Sequence, residues 1–132
     1  MNSLYLLPCG VFGNLRLLAR PDDARRELAA LRRAPTESTR VVSRYLRSAT
    51  VVFATMDAPA DVLGPSVRIP GGGGVSTDGE YYWLSCAAYF VERYGIGVPP
   101  EFEKKALAME GVPLPVARRT LATIEDALLA LM

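Results

Sequence analysis

Apolar residues repeat along this chain with two different periods, and the changes of period outline its elements. Leu4 to Leu7 form a short continuous apolar run stopped by Pro8, which reads as a buried strand. Residues 11–19 read as a second strand, with Gly13-Asn14 as a turn or bulge. Asp22 and Asp23 follow Pro21 and put negative charge where a helix N-terminus favours it. Ala24, Leu28 and Leu31 then recur at helical spacing, predicting a helix over 22–33. Ala34-Pro35 ends it. Thr36 offers a cap for the next helix, where Val41, Val42, Tyr45 and Leu46 share one apolar face to about Arg47.

Residues 50–56 are β-branched and aromatic and read as a central strand. Prolines and glycines then mark a loop, with Val67 to Ile69 as a short strand, before four consecutive glycines, Gly71 to Gly74. These read as a flexible connector: they lack the Lys-Ser/Thr of a phosphate-binding loop and open no helix. Val75 to Thr77 and Glu80 to Trp83 flank Asp78-Gly79, a pair suited to the positive φ angles of a two-residue turn, so a hairpin with an aromatic second arm is expected. Alternation along that arm sets Tyr81 and Trp83 on one face and Tyr82 on the other. Leu84, Ala87, Ala88, Val91 and Tyr94 return to helical spacing, with Gly95 placed to end the helix. Pro99 or Pro100 opens another helix through Phe102, Ala106 and Met109. The last runs from about Pro115, its stripe of Ala117, Leu121, Ile124, Leu128 and Leu131 suiting either core closure or a homodimer seam. The elements do not alternate strictly between strand and helix. The expected class is α+β: a small mixed or antiparallel sheet with a hairpin near 75–83, packed against about five helices.

The 132 residues suit one domain spanning 1–132, large enough to fold without a metal or disulfide staple. Cys9 and Cys86 stand in no metal-type spacing and read as reduced, buried thiols of a cytoplasmic protein, although geometry decides whether they pair. The stretch ending at Cys9 lacks the basic and long apolar regions of a cleaved leader. No apolar run reaches the ~18 residues of a membrane span.

Charge and missing residue types narrow the chemistry. The chain has no histidine, which removes Ser-His-Asp and Cys-His catalysis and His-ligated zinc. No GxSxG or SxxK surrounds a serine, so an enzyme is not expected and neither is a cofactor or metal. The formal charge is only +1, but it is unevenly spread. Residues 16–47 hold nine arginines against four acidic residues, a net of +5, and residues 48–132 hold six basic against ten acidic, a net of −4. Arg40, Arg44 and Arg47 lie at i, i+4 and i+7 on one side of their helix, a candidate face for RNA or DNA. Acidic residues gather around the hairpin, where Asp57, Asp61, Asp78 and Glu80, with Tyr82 beside them, form a candidate surface for a basic partner.

The run from Thr77 to Phe102 carries a resemblance. Thr77-Asp78-Gly79, Trp83, Tyr89, Val91-Glu92, Tyr94 and Pro100-Glu101-Phe102 resemble a pattern in small bacterial proteins, many actinobacterial, some of them similar to immunity proteins of polymorphic toxin systems. The match covers about a fifth of the chain and departs from the pattern at Ser85-Cys86, where a charged residue is commoner. It implies a non-catalytic protein that neutralises a cognate toxin by occluding its active site. On that expectation the acidic hairpin region is the plug and Asp57, Asp61, Asp78, Glu80 and Tyr82 touch the toxin. The alternative is a nucleic-acid-binding module using the Arg-rich helices over 22–47.

Overall fold

A computed structural model describes residues 6–7, 21–61 and 63–129 of the chain. The strand expected over 11–19, Cys9 and the end of the C-terminal stripe at Leu131 lie outside these residues. The order is β1 (Leu6–Leu7), α1 (Pro21–Leu31), α2 (Glu37–Ser48), β2 (Thr50–Phe53), β3 (Ala60–Asp61), β4 (Gly64–Arg68), β5 (Val75–Thr77), β6 (Tyr82–Leu84), α3 (Ala87–Tyr94), α4 (Pro100–Ala108) and α5 (Arg118–Leu129). The fold is α+β. One sheet runs β1-β6-β5-β2 with β1 parallel to β6 and the other pairs antiparallel, and β3-β4 form a separate two-stranded ribbon.

The hairpin forms, with a connection two residues longer than expected. Thr77 pairs with Tyr82, so Asp78 to Tyr81 make the connection. The Asp78 carboxylate accepts the Glu80 and Tyr81 amides at 2.9 and 2.7 Å, and Gly79 supplies the positive φ of 96°. The aspartate side chain thus closes the turn where a two-residue hairpin would use backbone alone.

Alternation along β6 divides the core. Trp83, fully buried, and Tyr81 face the larger cluster, built with Leu28 of α1, Val42, Tyr45 and Leu46 of α2, Phe90 and Val91 of α3, and Phe102 and Ala106 of α4. Phe102 sits at its centre, edge-on to Tyr45, Tyr81 and Trp83 at centroid distances of 5.0 to 5.5 Å. The Trp83 indole N–H donates to the Leu46 carbonyl at 3.2 Å, which satisfies its one polar atom. Tyr82 faces the other way and packs with Val75, Ile124 and Leu128 beneath α5.

Several expectations need correction. The strand at 50–56 is not central: β2 is four residues long and lies at the sheet edge, its pairing with β5 interrupted by a bulge between Val51 and Phe53. The stretch around Ala60, expected as loop, pairs with Gly64–Arg68. The glycine run is a hydrogen-bonded turn, not a slack connector. The Gly74 amide bonds the Gly71 carbonyl, and the Gly72 and Gly74 carbonyls accept the Cys86 and Ser85 amides. A Cβ at Gly74 would meet the Phe53 carbonyl oxygen at 2.7 Å, so backbone proximity explains the glycine. Of the C-terminal stripe, Ala117 is exposed and Leu121 half-buried, while Ile124 and Leu128 are buried. Cys86 is disulfide-bonded, against the reduced thiol expected. Disulfides persist in oxidising compartments, so the cytoplasmic expectation loses the support it drew from the thiols.

Candidate functional site

The acidic residues around the hairpin do not form one exposed surface. Asp61 is fully buried. Its Oδ2 accepts the hydroxyls of Tyr94 at 2.6 Å and Tyr89 at 2.7 Å, and its Oδ1 accepts the Leu63 and Gly64 amides. Among the described residues no cation pairs with it. Burial pushes the Asp61 carboxyl upward, but the four donors outweigh it and hold the group below the usual carboxylate range. The same bonds act in reverse on the phenols. Burial, then the bond to Asp61, pushes Tyr89 up to about 12, and Tyr94 moves in the same direction for the same causes.

Asp78 is equally internal, with its side chain 1% exposed. Tyr45 donates to it at 2.6 Å and the Lys105 ammonium stands 3.1 Å away. Lys105 also bonds Glu80 at 2.7 Å and lies 5.6 Å from the Tyr81 ring centroid. Burial works against the Lys105 charge, yet the two carboxylates raise its pKa above the ordinary lysine value. Tyr82, expected at the interface, is buried, and that burial raises its phenol pKa. Only Asp57 and Glu80 of the expected plug reach solvent. Glu80 is held by Lys105, and Asp57 caps the glycine turn by accepting the Gly73 amide at 3.1 Å. A loop tip of acidic side chains needs free carboxylates, and here Asp61 and Asp78 are internal acceptors while exposed Asp57 and Glu80 are already engaged by Gly73 and Lys105.

The arginines sit differently. Arg40, Arg44 and Arg47 are all exposed on α2, as the spacing requires. Two of them have acidic partners: Arg40 lies 3.9 Å from Glu37, and Arg47 pairs closely with Glu92 of α3. The Thr36–Thr39 capping box starts this helix, each hydroxyl accepting the other's amide, and so fixes where the arginine side emerges.

Beside that side lies a depression that the sequence did not single out. It measures about 390 Å3 and is lined by Arg47, Tyr89, Glu92 and Arg93. Tyr89 is half-buried. Its hydroxyl is anchored inward on Asp61, and its ring stands edge-on to Phe90 and Tyr94. Glu92 holds Arg47 and lies 3.3 Å from the Ser43 hydroxyl. Arg93 lies 5.9 Å from the Tyr94 ring centroid, and Arg32, from the end of α1, lies 4.8 Å from the same centroid. Arg32 reaches this ring because α1 and α3 are stitched at their C-terminal ends: the Arg33 amide donates to the Tyr94 carbonyl and the Gly97 amide to the Leu31 carbonyl. The pattern that could have pointed here is the spacing of Tyr89, Glu92 and Arg93 on one outward side of α3.

A second cleft, of about 550 Å3, opens between Leu31, Val98, Pro99 and Pro100, with Arg33 and Glu103 at its rim. Among the described residues no group of three or more acidic or cysteine side chains is placed to hold a metal, and no helix is long and apolar enough to cross a membrane. Comparison with protein-family models, curated proteins and solved structures found no match.

Proposed function

We propose that this is a non-catalytic binding protein of the immunity type, which neutralises a partner protein by docking on it through the α2–α3 surface around Tyr89 rather than through the acidic hairpin end. The observation that carries the reading is the anchored, half-exposed Tyr89 between Arg47 and Arg93. Tyrosine and arginine dominate binding hot spots, and side chains already held in place lose little freedom on association. The lack of histidine and of any nucleophile motif supports the non-catalytic part.

The nucleic-acid reading draws on one specific observation, the exposure of Arg40, Arg44 and Arg47 together. Against it, Glu37 and Glu92 interrupt the positive field beside two of the three. A phosphate backbone is best met by uncompensated cations.

Growth rescue tests the choice. Coexpressed with the protein encoded beside it, the wild-type chain should restore growth and co-purify at equal stoichiometry. Tyr89→Ala should weaken the complex about 30-fold, equivalent to the ~2 kcal/mol of a hot-spot aromatic, with folding checked by Trp83 fluorescence. Retention on heparin at ~150 mM salt, abolished when Arg40, Arg44 and Arg47 become alanine, would replace the protein partner with nucleic acid.

A further inference from the structure

Two guanidinium groups share one aromatic ring on this surface. Arg32 and Arg93 come from different helices, and both lie over Tyr94. Both are exposed. Among the described residues neither has a carboxylate within ion-pair distance, whereas Arg40 and Arg47 each have one. Asp61, the carboxylate that accepts the Tyr94 hydroxyl, also accepts that of Tyr89 and is fully buried. Like charges drawn to one ring repel each other, and a local anion relieves that repulsion. The adjoining depression shares Arg93 and adds the neutral Arg47–Glu92 ion pair, so its one excess positive charge is Arg93 itself.

We propose that Arg32 and Arg93 form a carboxylate-binding pair that takes an acidic segment of the docking partner, with the half-exposed Tyr89 ring packing against the same segment. The proposal rests on the protein-docking reading and specifies the partner's chemistry. A guanidinium presents a planar fork that matches a carboxylate with two parallel bonds, and the Tyr94 ring attracts both guanidinium groups to the same place. An acidic peptide also suits the surface better than a nucleic-acid strand. Its carboxylates can fall on Arg32 and Arg93, which have no ion-pair partner among the described residues, while a continuous phosphate track would run against Glu92 and Glu37.

The test is a nuclear magnetic resonance titration of the full chain, following the arginine Nε–H signals. The probes are an acetylated hexaglutamate, a hexaglutamine of the same length and a ten-nucleotide DNA strand. Hexaglutamate should shift the Arg32 and Arg93 signals saturably, hexaglutamine should not, and Arg118 and Arg119 should stay unmoved. The double variant Arg32→Gln/Arg93→Gln should lose at least 10-fold in hexaglutamate affinity with Trp83 fluorescence unchanged. Equal shifts from hexaglutamine, the absence of saturation, or tighter DNA binding centred on Arg40 and Arg44 would each overturn the proposal. Growth rescue separates the two levels. If the double variant rescues as well as wild type, the carboxylate pair is wrong and protein docking stands. If the wild-type chain forms no complex, the docking reading itself fails.

Discussion

Asp61 is a buried charge held by neutral donors, with no cation paired to it among the described residues. Two phenol hydroxyls and two backbone amides donate to it, and together they outweigh its desolvation. Because its folded pKa is depressed, the stabilisation is present above the ordinary aspartate pKa of about 4 and is lost as pH falls through the folded value. Asp61→Asn removes the charge but keeps one acceptor oxygen. The variant should lose about 1.5–3 kcal/mol at pH 7, the range for a hydrogen bond to a charged group. The gap to wild type should narrow below about pH 4, as read by denaturant unfolding at a series of pH values. An unchanged gap at low pH would remove Asp61 as the titrating group. The consequence for binding is local: Tyr89 loses the anchor that fixes its ring at the surface.

At the scale of elements, the decisive position is the end of α3. Gly95 has a φ of 62°, and its amide caps the helix by donating to the Val91 carbonyl at 2.9 Å. A Cβ there would stand 2.1 Å from the Arg33 carbonyl oxygen, which is backbone and cannot swing aside. Gly73 differs: its Cβ would also lie 2.1 Å from a neighbour, but that neighbour is the Asp57 carboxylate oxygen, at the end of an exposed side chain. Gly95→Ala should therefore cost more than the ~1–2 kcal/mol of left-handed backbone strain alone. Gly73→Ala should cost less than Gly95→Ala, through loss of the Asp57 bond. Thermal unfolding of the two variants in parallel checks the order, and equal losses would mean that α1 shifts readily away from α3. The stop at Gly95 was legible in the sequence. The approach of Arg33 was not, because it joins residues about sixty positions apart.

Across the whole molecule, the charge asymmetry of the sequence is partly spent inside. Asp61 and Asp78 of the acidic half are internal acceptors, and the exposed charges of α2 and α3 are Arg40, Arg44, Arg47 and Arg93 against Glu37 and Glu92. Lys105 joins α4 to the hairpin turn through Asp78 and Glu80. Reversing Asp78 to lysine would set two cations against each other where the aspartate side chain is 1% exposed. It should therefore unfold the protein rather than merely weaken binding. Lys105→Met should cost about 2 kcal/mol, below the range for a fully buried pair because the lysine is about one-third exposed. Glu80→Gln should cost under ~1 kcal/mol, as for an exposed pair. Denaturant midpoints of the three variants test this ranking. A Glu80 effect as large as that of Lys105 would mean that the exposed arm dominates the bridge.

The sequence by itself determined the α+β class, the hairpin, the opposite facing of Trp83 and Tyr82 and most helix boundaries. Each of these follows from periodicity, caps and glycines read within a few residues. Only the tertiary structure decided which charges face water. Asp61 and Asp78 carry the same sequence signature as a surface carboxylate, and their burial depends on tyrosines and a lysine brought from 27 to 33 residues away. The same holds for Arg32 and Arg93, which meet over one ring because α1 and α3 end together. Spacing along a chain records local geometry, whereas the partner of a charge is set by the folding of distant segments against one another.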